Sequence, residues 1–299
     1  MRAFPGAPIL AGMDADTEAI ENIPEQHQDW PGRTDVMTPV PDHGETSYTG
    51  RERLVGKRAL ITGGDSGIGR AIAIAFAKEG ADVAIAYLPQ EQDDADETRR
   101  QVETAGRTCA LLPTDQRTHR ANVDLMDKAV DALGGLDVLV NNAGFQMAQP
   151  GGLADVPPEQ VRQTFETNVF ATLWLTQAAL PHLTAGASVI NCTSIQAYEP
   201  SESLMDYAAT KAALNNLTVN MAAELGPKDI RVNAVAPGPI WTPLQPSTKP
   251  SVEGFGQNTP LGRPGQPVEV ATAFVYLASD EASYVSGTVL GVTGGKPVF

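Results

Sequence analysis

Thr62-Gly63-Gly64-Asp65-Ser66-Gly67-Ile68-Gly69 follows a short run, residues 57–61, that ends Ala59-Leu60-Ile61, and leads into an Ala-rich segment, residues 67–79. The run reads as a strand and the segment as a helix, so the glycines occupy a strand-to-helix turn. Their G-x-x-x-G-x-G spacing suits a phosphate cradle. Gly63 permits the tight turn, Gly67 lets backbone approach a pyrophosphate, and Gly69 lets the helix pack close on the strand. The unpaired N–H groups and the dipole of that helix start favour an anion. Glycine in such a turn also occurs for geometry alone, but a strand before and a helix after is the context a dinucleotide site requires.

Working outward, short β-branched runs alternate with long Ala-rich ones. Strands are predicted at 57–61, 82–87, 108–112, 137–140, 188–192, 230–234 and 288–292, and helices at 67–79, 92–105, 117–133, 159–180, 204–225 and 268–277. Strands apolar throughout and separated by helices imply an α/β, doubly wound parallel sheet of about seven strands, with helices on both faces. Such a Rossmann sheet binds its ligand outside the carboxyl ends of the strands. Residues 51–299 are read as this single domain, with a Pro/Gly-punctuated substrate lid at about 239–264.

Residues 1–50 differ. Nine acids against Arg2 and Arg33 give this stretch a charge of −7, and prolines at 5, 8, 24, 31, 39 and 41 prevent a long helix. It reads either as a solvated acidic leader or as an extended arm, and Trp30 tips the balance to an arm. Val36, Met37, Val40 and Tyr48 are its other expected anchors. The whole chain of 299 residues carries −15, which repels phosphate backbones and anionic headgroups, so neither nucleic acid nor membrane is an expected partner. Two isolated cysteines, Cys109 and Cys192, read as buried thiols of a reducing, cytoplasmic compartment. Four scattered histidines suggest no metal site.

Tyr207 and Lys211 lie on one face of a predicted helix, i and i+4. A nearby ammonium stabilises a phenolate, which allows a tyrosine to exchange a proton with a carbonyl or alcohol oxygen near pH 7. Ser194 stands 13 residues earlier, after a predicted strand. Asn141-Asn142-Ala143-Gly144 and Pro237-Gly238 also close predicted strands, so all fall on one sheet edge. In these motifs, their order and their spacing, residues 52–299 closely resemble the short-chain dehydrogenase/reductase family.

The resemblance implies an enzyme in which Tyr207 is the general acid/base, Lys211 lowers its pKa and holds the nicotinamide ribose, and Ser194 hydrogen-bonds the substrate oxygen. Asn168 matches the family asparagine that anchors a relay water, although it could instead satisfy a local helix distortion. The cofactor set would be Gly63, Asp65, Ser66, Gly67, Ile68, Gly69, Tyr87, Leu88, Asp115, Asn142, Ala143, Gly144, Tyr207, Lys211, Pro237, Gly238, Ile240 and Thr242. Gln196, Tyr198 and Trp241, with Phe145 and Gln146, are expected to line the substrate pocket. Position 293 is Thr where the family often has Asp.

Tyr87 and Leu88 end the second strand, where an acid would select NAD and a base NADP. Asp65, Glu91, Asp93 and Asp94 disfavour an extra phosphate. By contrast, Tyr87-Leu88-Pro89, 194–198 and 236–241 resemble a bacterial branch of glucose/ribitol dehydrogenase-like proteins that includes NADP-dependent aldehyde reductases. The cofactor is therefore read as NAD(P)(H), with the choice open. The expected substrate is a small carbonyl or alcohol, with a sugar or polyol as the alternative. A non-catalytic dinucleotide sensor or scaffold is the reading from another class, against which the intact Tyr207, Lys211, Ser194 and Asn168 argue. An enoyl reductase is not expected, because that branch spaces its Tyr and Lys more widely. The family is usually tetrameric, which implies a homotetramer, with the arm reaching a neighbouring subunit.

Overall fold

The computed structural model describes Ile20 and residues 23–299. Seven parallel strands form one sheet in the order β3-β2-β1-β4-β5-β6-β7. They are β1 (Arg58–Thr62), β2 (Asp82–Tyr87), β3 (Cys109–Pro113), β4 (Leu136–Asn141), β5 (Leu183–Cys192), β6 (Arg231–Pro237) and β7 (Val289–Val292). The order reverses between β1 and β4, the switch point beside which an open α/β sheet places its ligand.

On one face lie α1 (Gly67–Lys78), α2 (Gln92–Thr104) and α8 (Pro267–Ala278), whose apolar side chains join Ile61, Ile85 and Val140 in one buried cluster. On the other lie α3 (His119–Leu133), α5 (Ala171–Ala179) and α6 (Met205–Leu225), packed on Leu60, Leu139 and Val189. Alternate residues of each strand thus serve opposite faces, which is why the strands are apolar throughout.

Two expected elements are redrawn. The helix expected at 159–180 is α4 (Pro158–Phe165), a π turn (Glu166–Phe170) and α5. The widened turn carries Asn168, whose side chain leaves the helix to bond the Phe145 backbone. The lid is likewise not all loop, since α7 (Leu244–Thr248) lies within it.

The described part of the arm is laid over its own domain. Asp42 accepts from Val268 N at 3.1 Å, Pro39 O accepts from Trp241 Nε1 at 2.8 Å, and Pro246 O accepts from Gln28 N at 3.0 Å. Lys78 Nζ donates to the carbonyls of Gly44, Glu45 and Tyr48. Met37 is buried against Trp241 and Val252, whereas Val36 and Val40 are 56% and 61% exposed and anchor nothing. Val36 lies in a turn closed by Met37 N on Thr34 O at 3.2 Å, and Met37, just past it, is the side chain that enters the core. The remainder of the arm, 1–19 and 21–22, lies outside the described residues.

Glu79, at the end of α1, is fully buried and ties this arm to the domain. It pairs with Arg53 at 2.8 Å and accepts from Tyr48 Oη and from the backbone N–H groups of Arg51 and Arg53. Burial works against its charge, but these donors outweigh it and hold the carboxyl at about 2, below its ordinary 4.5. Its stabilisation is therefore complete above pH 4.5 and drains away as pH falls toward 2. Glu79→Gln is expected to cost about 3 kcal/mol in urea unfolding at pH 7. The gap between variant and wild type should narrow as pH is lowered through that window.

Candidate active site

Where β1 and β4 diverge, one hydroxyl joins their ends. Thr62 Oγ1 accepts from Asn142 N at 3.0 Å and Ala143 N at 2.9 Å, and Asn142 Nδ2 returns to Thr62 O at 2.9 Å and Gly63 O at 3.1 Å. A cleft of about 1110 Å³ runs along this carboxyl edge. Every residue expected at the dinucleotide lines it except Gly69. Gly69 sits behind the turn, where a Cβ would lie 1.8 Å from Gly63 O, so its part is close packing of α1 on β1.

These walls fit a dinucleotide. Gly63 and Gly67 have φ of +61° and +49°, which glycine adopts without strain. Ser66, at the start of α1, makes no side-chain cap, so the first N–H groups of a 12-residue helix face the cleft uncovered. Thr242 packs on Gly67 from across the cleft, 3.1 Å from where a Cβ would be. Asp115 lines the far wall and is paired with Arg117 at 2.6 Å.

Arg70 supports the turn from beneath, donating to Asp65 O and Thr98 Oγ1 and pairing with Asp94 at 2.5 Å. Asp65 is 2% exposed and its Oδ2 has no partner. Burial pushes the Asp65 carboxyl up, and repulsion from Asp94 adds to it. Burial and the nearby Asp65 likewise push up Glu91, which also lines the cleft.

The proposed catalytic side chains converge at the other end. Tyr207 and Lys211 lie one turn apart on α6, with Lys211 Nζ 5.4 Å from the Tyr207 ring centre. Ser194, just past β5, lines the cleft with Tyr207 and is near enough to favour its phenolate form. Lys211 Nζ donates to Cys192 O at 2.8 Å, a contact missed in the sequence because any residue can offer a carbonyl. Burial lowers the pKa of Lys211 and raises that of Tyr207 above its ordinary range, while the nearby Ser194 hydroxyl opposes the rise. The net direction for Tyr207 is thus upward, opposite to the lowering expected from Lys211.

Asn168 is fully buried and spends its whole amide locally. Oδ1 accepts from Phe145 N at 2.8 Å, and Nδ2 donates to Phe145 O at 2.9 Å and Thr210 Oγ1 at 3.0 Å. That pattern fits the local-distortion role weighed for it, and it also fixes the loop after β4 against α6.

At the substrate end, Gln196, Phe145 and Gln146 line the cleft, but Tyr198 and Trp241 do not. Trp241 is fully buried beneath the arm, because its indole N–H finds Pro39 O and its ring finds Met37 and Val252. Tyr198 stands half-buried outside the cleft. Gln196 is partly committed, its Oε1 accepting from Ser201 N at 2.7 Å. Trp30, Pro31 and Gly32 line the cleft unforeseen, although an aromatic in an acidic leader was the available signal. Among the described residues no group of three or more His, Cys, Asp or Glu is placed to hold a metal, and no helix is long and apolar enough to cross a membrane.

A family model described as enoyl-(acyl carrier protein) reductase matches residues 63–296. The uncharacterized oxidoreductase YhxD of Bacillus subtilis is 52% identical over 283 residues, covering 93% of this chain and 94% of that protein. Glucose and ribitol dehydrogenase of Daucus carota is 42% identical over 282 residues (92% and 97%). NADPH-dependent aldehyde reductase 1, chloroplastic, of Arabidopsis thaliana is 42% identical over 276 residues (90% and 96%). A short chain dehydrogenase from Burkholderia cenocepacia, solved in complex with NADP, superposes with a TM-score of 0.75 at 35% identity, over 81% of this chain and 98% of that one. With a family match across most of its length and a relative half identical to it, the chain belongs to the short-chain dehydrogenase/reductase family and is an NAD(P)-dependent oxidoreductase.

Proposed function

We propose that the chain reduces small aldehydes or ketones with NAD(P)H, Tyr207 acting as the acid. The observation that carries this is the convergence of Tyr207, Ser194 and Lys211 on a cleft whose other end is a dinucleotide cradle. Two hydroxyls on one cleft wall can share one substrate oxygen, Ser194 orienting it and Tyr207 delivering the proton. The bound cofactor would supply the hydride, and the chain's part is to orient both reactants and hold that proton. Burial favours the neutral phenol, which is the form that donates during reduction. Lys211, anchored on Cys192 O, would hold the nicotinamide ribose and places positive charge beside the phenol as the proton leaves. Asn168 would act by fixing Phe145 and Thr210, with a relay water as its further role. Sugar or polyol oxidation is the second reading, favoured by the polar Gln196, Ser201 and Asn258 at the substrate end and by the carrot relative.

A homotetramer built on α4–α5 and α6 is also proposed. Phe170, Leu173, Met205 and Val219 are 40%, 37%, 43% and 54% exposed on those helices and the π turn, apolar surface that a second copy would cover. A monomeric mass in light scattering would remove that reading.

Tyr207→Phe is expected to lower kcat for aldehyde reduction by about 10²–10⁴ while leaving NADPH binding, read by nicotinamide fluorescence, near wild type. Unchanged turnover would end the acid assignment. Glu91 stands just past β2, where a ribose 2′ substituent is recognised. Glu91→Gln removes a repulsive charge and should raise the NADPH-over-NADH preference in kcat/KM by about three- to tenfold at pH 8.5. An unchanged ratio would show that Glu91 does not face the 2′ position.

A further inference from the structure

We infer that residues 25–40 of the arm form, in their own subunit, a clamp that sets the position of the lid, and that Trp30 on this clamp limits the size of the substrate. The part concerning substrate size rests on the carbonyl-reductase reading; the clamp does not.

The clamp grips both sides of the cleft. On the lid side, Glu25 accepts from Ser251 Oγ at 2.8 Å and Val252 N at 3.2 Å, and Gln28 N donates to Pro246 O at 3.0 Å. Gly32 is wedged beneath α7, where a Cβ would lie 2.5 Å from Pro243 O and 3.1 Å from Ser247 Cβ. Between them Met37 packs with Trp241 and Val252. On the catalytic side, the Trp30 ring stands edge-on to Phe145, 5.3 Å between centres at 88°. Phe145 is the residue whose N–H and C=O are both taken by Asn168. Its neighbour Gly144 comes so close to the catalytic lysine that a Cβ there would lie 3.6 Å from Lys211 Nζ.

Lid and catalytic loop also meet directly, through Gln146 Nε2 to Thr248 Oγ1 at 3.0 Å and Ala148 N to Thr248 O at 2.9 Å. Trp30, Pro31 and Gly32 therefore bridge two walls that already touch, and all three face the cleft. An indole held by a ring on one side and by the α7 backbone through Gly32 on the other is a fixed wall. Fixed apolar walls discriminate substrates by bulk.

Two variants of the full-length protein separate the claims. With NADPH, kcat/KM is measured for propanal and for 2-naphthaldehyde. Trp30→Ala should lower the propanal-to-naphthaldehyde ratio about tenfold, with the change for propanal carried by KM, and Trp30→Phe should restore most of it. An unchanged ratio in Trp30→Ala overturns the size limit. Gly32→Val forces the arm off Pro243 and should speed chymotrypsin cleavage after Phe255, in the lid, about tenfold, while cleavage after the fully exposed Tyr284, before β7, stays constant. Equal rates after Phe255 overturn the clamp. Should the wild type reduce neither aldehyde, the carbonyl reading and the size limit fail together, and the proteolysis alone decides the clamp.

Discussion

The hydroxyl of Thr62 holds the two diverging strands β1 and β4 in register at the edge where the cleft opens. It accepts two backbone N–H groups, and the Asn142 amide returns two bonds to the carbonyls beside it. Each bond adds only about 1 kcal/mol net, but leaving buried N–H groups unpaired would cost about 1–3 kcal/mol each. The geometry of everything above follows. The glycine turn is set on one side, and the loop Asn142–Phe145 on the other. Asn168 takes hold of Phe145, Thr210 takes hold of Asn168, and the next residue on α6 is Lys211. The glycine turn and α6, which carries Tyr207 and Lys211, are thereby linked through hydrogen bonds and the short stretches of backbone between them.

Much of this was legible in the chain before any coordinates. The strands are β-branched and apolar and the helices are rich in Ala, so period and composition agree, and the phosphate cradle stands at the first transition between them. The π turn was not legible, because hydrophobic periodicity continues smoothly through 166–170 and only the pull of Phe145 on Asn168 shows where the helix widens. Trp241 illustrates a second limit. An indole in a Pro-rich lid can face a pocket or a core equally well, and the deciding partners, Pro39 O and Met37, lie about two hundred positions away. The upward shift of Tyr207 belongs to the same class, since desolvation depends on enclosure that spacing does not encode.

Two buried ion pairs sit at joints of the fold. Arg70 lies under the glycine turn with Asp94, and Glu79 lies under the arm with Arg53. Each pair is anchored by further hydrogen bonds, the condition under which a buried ion pair is tolerated. Both sit on α1, one at each end, so the helix that presents its N-terminus to the cleft also fastens the arm. An acidic surface elsewhere leaves these joints undisturbed, because exposed charges contribute little to stability.

The arm leaves the ribosome well before the surfaces it docks on. Asp42 bonds Gln266 and Val268, and Gln28 bonds Pro246. At ordinary rates of synthesis, about 10 to 40 s separate the appearance of the two partners. For that interval Met37 has no core to enter, and the arm's net negative charge keeps the segment hydrated rather than sticky. Six of the seven strands and the cradle can form in the meantime from residues 58–237. The cleft acquires its roof only when the lid arrives, so a chain halted in mid-synthesis has the parts of a nucleotide site but no closed chamber in which to use them.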